Sequence, residues 1–208
     1  MIEDVNWPYK VNQVQLHLRD QAIIAFTILV GIRASEFGGL PERKGKTRTG
    51  KIRVLPATQP LRKKQTRVYQ THILIVNVQP LKHGDLRDEI ILPKSGVFAP
   101  FTAIIEEWLQ QVPDEESVLF PSAIKATGKL NWEQPLRRSR IQWIIKSQTG
   151  MFPHWFRGIC ESVYGRIFFK NDAWALKKFM GLKNLESTSP YVEGQWKTYE
   201  KNIFKEKL

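Results

Sequence analysis

The sequence contains little cysteine and no long apolar run. One cysteine, Cys160, in 208 residues excludes an internal disulfide framework and a cysteine-based zinc site. The longest apolar stretch, residues 22–32, is interrupted by Thr27 and Gly31 and is too short to span a bilayer. We therefore expect no membrane partner.

The N-terminus also lacks the pattern of a secretory signal. Met1 is followed by Glu3 and Asp4, where such a signal has a basic region and an apolar core. Residues 114–116, a run of three acidic residues, are more typical of a solvated turn than of a metal site. The sequence predicts an intracellular, cytoplasmic protein without metal or cofactor.

Acidic residues are scarce relative to basic ones. The chain has 20 Asp plus Glu against 32 Lys plus Arg, a net charge of +12, whereas solubility requires a magnitude of roughly 2–8. Such a charge attracts polyanions by counterion release, so nucleic acid is the leading partner class and an anionic membrane surface the second. A single lysine here is more simply solvated, but residues 41–70 as a whole suggest an arm that follows phosphates. Its candidate DNA contacts are Arg43, Lys44, Lys46, Arg48, Lys51, Arg62, Lys63, Lys64 and Arg67.

The pattern of apolar residues indicates a folded protein of mainly α, mixed α+β class with a small antiparallel hairpin. Helical spacing runs from Leu16 to Leu40 with a break at Gly31, and loops around one strand at 52–55 follow. Strands at 71–78 and 87–92 form the hairpin. The rest is mostly helical, with predicted helices at Pro100–Val112, Arg137–Gln148, Pro153–Phe169 and Asp172–Gly181.

Three polar residues stand out against this pattern. His154 and Arg157 lie three residues apart, so on a helix they share a face and could both address a phosphate. Arg33 follows the apolar run and precedes Glu36, whose carboxylate can orient the guanidinium. An Arg–Glu pair that serves only to close a helix would explain Arg33 and Glu36 about equally well.

The order of several motifs resembles the catalytic domain of the tyrosine recombinases, the phage-type integrases and Xer-like resolvases. The resemblance runs from about Leu18 to Tyr191. It rests on Gly31-Ile32-Arg33-Ala34-Ser35-Glu36, on Lys82 with Arg87 and Ile91-Leu92-Pro93, on Leu119-Phe120-Pro121, on Pro153-His154-Trp155-Phe156-Arg157, and on Leu182 followed by Ser187-Thr188 and Tyr191.

The resemblance implies a DNA strand-cleaving and rejoining enzyme that needs neither metal nor ATP. Tyr191 would attack the phosphodiester and form a 3′-phosphotyrosine, which frees a 5′-hydroxyl. Arg33 and Arg157 would hold the phosphoryl oxygens, with Glu36 orienting Arg33. His154 would assist proton transfer, and Lys82 would protonate the leaving oxygen.

Three positions depart from the family pattern. Leu182 stands where the family usually has His or Trp, so one hydrogen-bond donor is lost. Gly158-Ile159 follows Arg157 where the family favours His-Thr. The interval between Arg33 and Lys82 is enlarged by the basic segment at 41–70.

The resemblance also implies an organisation and partners. We expect a lead-in at 1–15, a catalytic domain at 16–193 and a C-terminal helix at 194–208 that either packs on its own domain or is exchanged between protomers. The family's N-terminal helical domain has no counterpart in the lead-in. The partner would be a double-stranded DNA site, bound by a homo-oligomer that is monomeric in isolation, and a virus, plasmid or other mobile element would be a fitting source.

Three alternatives remain open. A DNA-binding protein on the same fold, weakened by Leu182, would form no covalent adduct and would keep its affinity when Tyr191 is changed to Phe. A type IB topoisomerase-like protein would relax supercoiled DNA with little site preference. A general basic RNA-binding or structural protein would leave the order of the motifs unexplained.

Overall fold

A computed structural model describes residues 13–41, 43–46, 52–55, 57–79 and 87–182. It is about 51% helix and 21% strand, a mixed α+β fold with small antiparallel sheets, as expected. Among the described residues, no helix has the length and apolar character needed to cross a bilayer. The predictions for Lys82, Tyr191 and the helix at 194–208 lie outside this part of the chain.

Helix α1, Gln13–Val30, forms the centre of the fold. Ala22, Phe26 and Leu29 and their neighbours are buried, and α1 is apolar on most of its circumference, as core helices are. Around it pack three helices, α3 (Ala99–Gln111), α4 (Arg138–Thr149) and α5 (Pro153–Val163).

The predicted break at Gly31 is present. Gly31 has a φ of +60°, and the short helix α2, Ala34–Gly38, begins after it. A Cβ at Gly31 would lie 2.9 Å from both Cys160 Sγ and Met180 Cε, so the site requires glycine for space as well as for conformation. The turn between α1 and α2 is therefore packed directly on α5 and on the end of α6, Ala173–Met180.

The predicted hairpin belongs to a three-stranded antiparallel sheet. Strand β4, His72–Val78, lies between β3, Thr66–Val68, and β5, Arg87–Pro93, with His72 opposite Pro93. Ile73 and Ile75 are buried, and Leu74 between them is less so, as alternation along a half-buried strand requires.

Two further strand pairs correct the sequence analysis. The basic segment is not loops around one strand, because β1, Arg43–Lys46, pairs antiparallel with β2, Ile52–Leu55. The second half is mostly helical, as predicted, but it also contains an unpredicted strand pair, β6, Pro121–Ala123, with β7, Leu130–Pro135. The helix expected to reach Phe169 ends at Val163 and continues as a π-helical turn, Tyr164–Phe168.

An aromatic cluster accounts for the Leu-Phe-Pro motif. The ring of Phe120 lies 5.4 Å from that of Phe26 and 5.1 Å from that of Phe37, both in edge-on geometry. The Nε1 of buried Trp108 donates a hydrogen bond to the Leu119 carbonyl at 2.9 Å. The motif thus ties α3 to α1 and α2 in the core.

Candidate functional site

A cavity of about 420 Å³ opens where α2, α4 and α5 meet. Three of its polar lining residues, Arg33, His154 and Arg157, are candidates from the sequence, and they arrive from two segments far apart in the chain. Two more, Arg138 and Gln142, come from α4. The polar side chains among its lining residues include three arginines and no carboxylate, which suits an anion.

Arg33 is fixed at the mouth of the cavity by Glu36. Its Nη1 donates to Glu36 Oε1 at 2.9 Å, and its backbone N–H donates to Oε2 at 2.9 Å. The carboxylate of Glu36 is buried, whereas the Arg33 side chain keeps 31% of its exposure. One face of the guanidinium is thus anchored while the rest stays accessible, as the predicted orienting role of Glu36 requires.

Arg157 forms the floor of the cavity and is only 4% exposed. Its Nη1 donates to the Gly31 carbonyl at 2.7 Å, and its Nη2 donates to the Met180 carbonyl at 3.1 Å. Its Nε lies 3.0 Å from Glu161 Oε1. Burial lowers the pKa of this guanidinium, and the charge of Glu161 opposes the shift.

These contacts occupy three of the five N–H groups that a guanidinium carries. Within the part of the chain that the structure describes, the other two remain for a ligand in the cavity. Arg157 can therefore hold backbone and anion at the same time.

His154 lies in the first turn of α5 and is exposed, and it lines the cavity beside Arg33. Pro153 occupies the start of the helix, where its missing N–H costs no hydrogen bond. The positive end of the α5 dipole is directed at the cavity and adds to its preference for an anion. The expected face shared by His154 and Arg157 is present.

Arg138 and Gln142 were not identified from the sequence. They lie one turn apart on α4 and line the cavity together. Their i,i+4 spacing was the available signal, because on a helix it places both on one face. The spacing alone does not show that this face meets α5, because that contact depends on the tertiary fold.

A second buried arginine, Arg87, does not line the cavity and is 2% exposed. Its Nη2 donates to the Val30 carbonyl at 2.7 Å, and its Nε donates to the Phe179 carbonyl. Its guanidinium carbon also lies 5.0 Å from the centre of the Phe179 ring. Burial lowers the pKa of Arg87 to about 10, so it is still charged at neutral pH.

Two of the three departures from the family pattern, at Leu182 and at Gly158-Ile159, bring no charged or hydrogen-bonding side chain to the cavity. Leu182 is half-buried against the core and, among the described residues, does not line the cavity. Gly158 has open space around it. Burial raises the pKa of the Cys160 thiol to about 12, which makes it an inert core group.

The basic segment divides into anchored and exposed residues. Arg62 donates to the Glu116 carbonyl, Lys63 donates to the Val112 carbonyl at 2.6 Å, and Lys64 pairs with the Glu116 carboxylate at 2.9 Å. These three tie the segment to the loop after α3. Lys44 and Arg67 are exposed.

The remaining candidates in that segment have less description. Arg43 and Lys46 lie on β1, but the structure describes only their backbone, and Arg48 and Lys51 lie outside the described residues.

Comparison with protein-family models finds no match, and a search of curated proteins finds none either.

Proposed function

We propose that this chain is the catalytic domain of a site-specific DNA recombinase. It would cleave one strand of double-stranded DNA through a 3′-phosphotyrosine on Tyr191 and rejoin that strand to a partner, as an oligomer on DNA and without ATP. The observation that carries the proposal is that Arg33, His154 and Arg157 line one cavity together.

The geometry of the cavity suits the phosphoryl group of that reaction. Arg33, held by Glu36, and Arg157, held by two carbonyls, present guanidinium N–H groups that need no reorganisation when charge develops on the phosphoryl oxygens. His154 supplies a further donor or acceptor from the adjacent helix start.

Arg138 extends the cationic lining beyond the three residues of the motif. It is exposed on α4 at the cavity, so in this proposal it binds a phosphate next to the scissile one. Arg137 beside it is also exposed, and Arg140 lies 4.0 Å over the Trp143 ring. The start of α4 would then follow the DNA backbone away from the cavity.

Covalent trapping on nicked duplexes from the source element, in EDTA, tests the proposal. The wild type is expected to give a protease-sensitive DNA adduct on a denaturing gel. Arg33→Gln should lower the rate at saturating DNA by about 10²-fold, because a transition-state donor is lost. Arg67→Gln, which removes an exposed arginine on β3, should raise the DNA concentration needed and leave the saturating rate unchanged.

A DNA-binding protein on the same fold is the second candidate. The observation that favours it is Leu182, whose side chain packs on the core and cannot donate a hydrogen bond at the position that the family gives to His or Trp. Tight DNA binding with no adduct from the wild type would select this candidate over the recombinase.

A further inference from the structure

Two buried arginines bridge the same two backbone segments. Arg157 joins the carbonyl of residue 31 to that of residue 180, and Arg87 joins the carbonyl of residue 30 to that of residue 179. The two guanidinium groups thus take consecutive acceptors on both segments.

Three of the four acceptors are helix-end carbonyls, and the fourth belongs to Gly31, the residue after α1. Val30 is the last residue of α1, and Phe179 and Met180 are the last two of α6. The last carbonyls of a helix have no partner within it and carry its negative partial charge, so a buried cation there is favourable. The α6 carbonyls of Lys177 and Lys178 are already taken by the backbone N–H groups that follow the helix.

The first of the two bridged segments leads directly into the cavity. Residues 30–31 are followed by Ile32 and Arg33, and Arg157, which donates to the Gly31 carbonyl, forms the cavity floor. We infer that Arg87, although it does not line the cavity, is a positioning residue of the anion site: it holds the turn before Arg33 against the end of α6, so that Arg157 keeps two N–H groups for the ligand.

Lysine cannot replace Arg87 in this role. One ammonium on a flexible stem lacks the planar fork that reaches the carbonyls of residues 30 and 179 together and stacks on the Phe179 ring. Arg87→Lys keeps the charge but leaves Arg157 as the one remaining arginine bridge between the two segments among the described residues, so they are held less firmly. Arg33 and Arg157 would then no longer converge on one ligand.

A merely stabilising role for Arg87 predicts something different. In that case the loss of Arg87 would lower the stability of the whole protein with no specific effect on the cavity, as the loss of any buried, doubly bonded arginine would. Arg19 provides the matched control, since it is buried, contacts Asp20 and donates to the Pro121 carbonyl at 2.9 Å, and lies near the other end of α1.

A double-variant cycle on the binding of inorganic phosphate, measured by isothermal titration at low ionic strength, tests the inference. The variants are Arg33→Gln, Arg87→Lys, their combination and Arg19→Lys, each checked for folding by circular dichroism. The part of the phosphate binding that is lost in Arg33→Gln is the part assigned to the cavity.

Arg87→Lys is expected to lower that affinity by about tenfold, and the combined variant should bind no more weakly than Arg33→Gln alone. Arg19→Lys should stay within about twofold of the wild type. Multiplicative losses, an unchanged affinity in Arg87→Lys, or no Arg33-dependent phosphate binding in the wild type would overturn the inference. If Arg87→Lys does not fold, Phe179→Leu, which removes only the ring beneath the guanidinium, takes its place in the cycle.

The consequence for catalysis rests on the proposed function and is measured separately. In covalent trapping, Arg87→Lys should lower the saturating cleavage rate by at least about tenfold with little change in DNA affinity. Coupling in phosphate binding together with no adduct from the wild type would retain the positioning role and refute the recombinase.

Discussion

Arginine side chains in this protein differ in what their guanidinium groups contact. Arg33 is held on one side by Glu36 and is otherwise accessible, Arg157 divides its donors between backbone and cavity, and Arg87 bonds only to backbone carbonyls and one ring among the described residues. The planar fork makes these divided roles possible, because several donors leave one group in fixed directions. The sequence placed Arg33 and Arg157 in motifs, but it could not show that Arg157 also supports the backbone.

Gly31 is the residue on which the convergence of these arginines depends. A side chain there would occupy a positive φ, at a cost of about 1–2 kcal/mol, and would press on Cys160 and Met180 2.9 Å away, adding about 1–3 kcal/mol. We expect Gly31→Ala to lower the free energy of unfolding by the sum of both effects in urea denaturation.

Gly150→Ala is the matched control for this prediction. Gly150 also has a positive φ, +73°, but a Cβ there meets nothing within 4 Å, so only the conformational cost applies. Equal losses in the two variants would show that the close approach at Gly31 is relieved without cost, contrary to expectation.

At the scale of elements, the sequence predicted those that are apolar and periodic. The α1–α2 break, β4, β5, α3, α4 and α6 are present within a few residues of their expected bounds. β1 was missed because Arg43-Lys44-Gly45-Lys46 has no apolar alternation, and β6 because Pro121-Ser122-Ala123 is short and begins with proline. Each of these two strands depends on a partner strand later in the chain, β2 for β1 and β7 for β6, rather than on its own residues.

Helix α6 begins at an N-cap formed by Asp172. The Asp172 carboxylate accepts hydrogen bonds from the backbone N–H groups of Trp174 at 2.9 Å and Ala175 at 3.1 Å. Asp172→Ala should lower the free energy of unfolding by about 1 kcal/mol, and Asp172→Asn, which keeps the cap, should lose much less.

Thermal or urea denaturation of the two variants checks this prediction. Because Arg87 and Arg157 hold the opposite end of α6, phosphate affinity in the cavity should change little in either. A loss of affinity in Asp172→Ala without a loss of stability would contradict it.

At the scale of the whole molecule, the net charge of +12 is distributed between anchored and exposed cations. The sequence alone treats Lys63 and Arg67 alike, since both lie in the basic segment. The fold separates them, because Lys63 donates to the Val112 carbonyl and Arg67 is exposed on β3. Only the exposed class is free to neutralise phosphates without giving up a protein contact.

DNA affinity measured by fluorescence anisotropy over a range of salt concentrations distinguishes these two classes. Arg67→Gln should reduce the slope of log K against log salt by about 0.9, the value for one lost phosphate contact. Lys63→Met should leave the slope unchanged and lower the free energy of unfolding by about 1 kcal/mol. The reverse pattern would show that Lys63 leaves its carbonyl to bind DNA.

Covalent transfer of DNA to Tyr191 in the presence of EDTA is the most direct test of the proposed function. Wild type and Tyr191→Phe would be incubated with nicked duplexes labelled at either end, and the linked peptide identified by mass spectrometry. We expect a 3′-phosphate attached to Tyr191, a free 5′-hydroxyl on the released strand, and no adduct from the variant. No adduct from a wild type that binds the DNA, or an adduct that persists in Tyr191→Phe, would contradict the proposal.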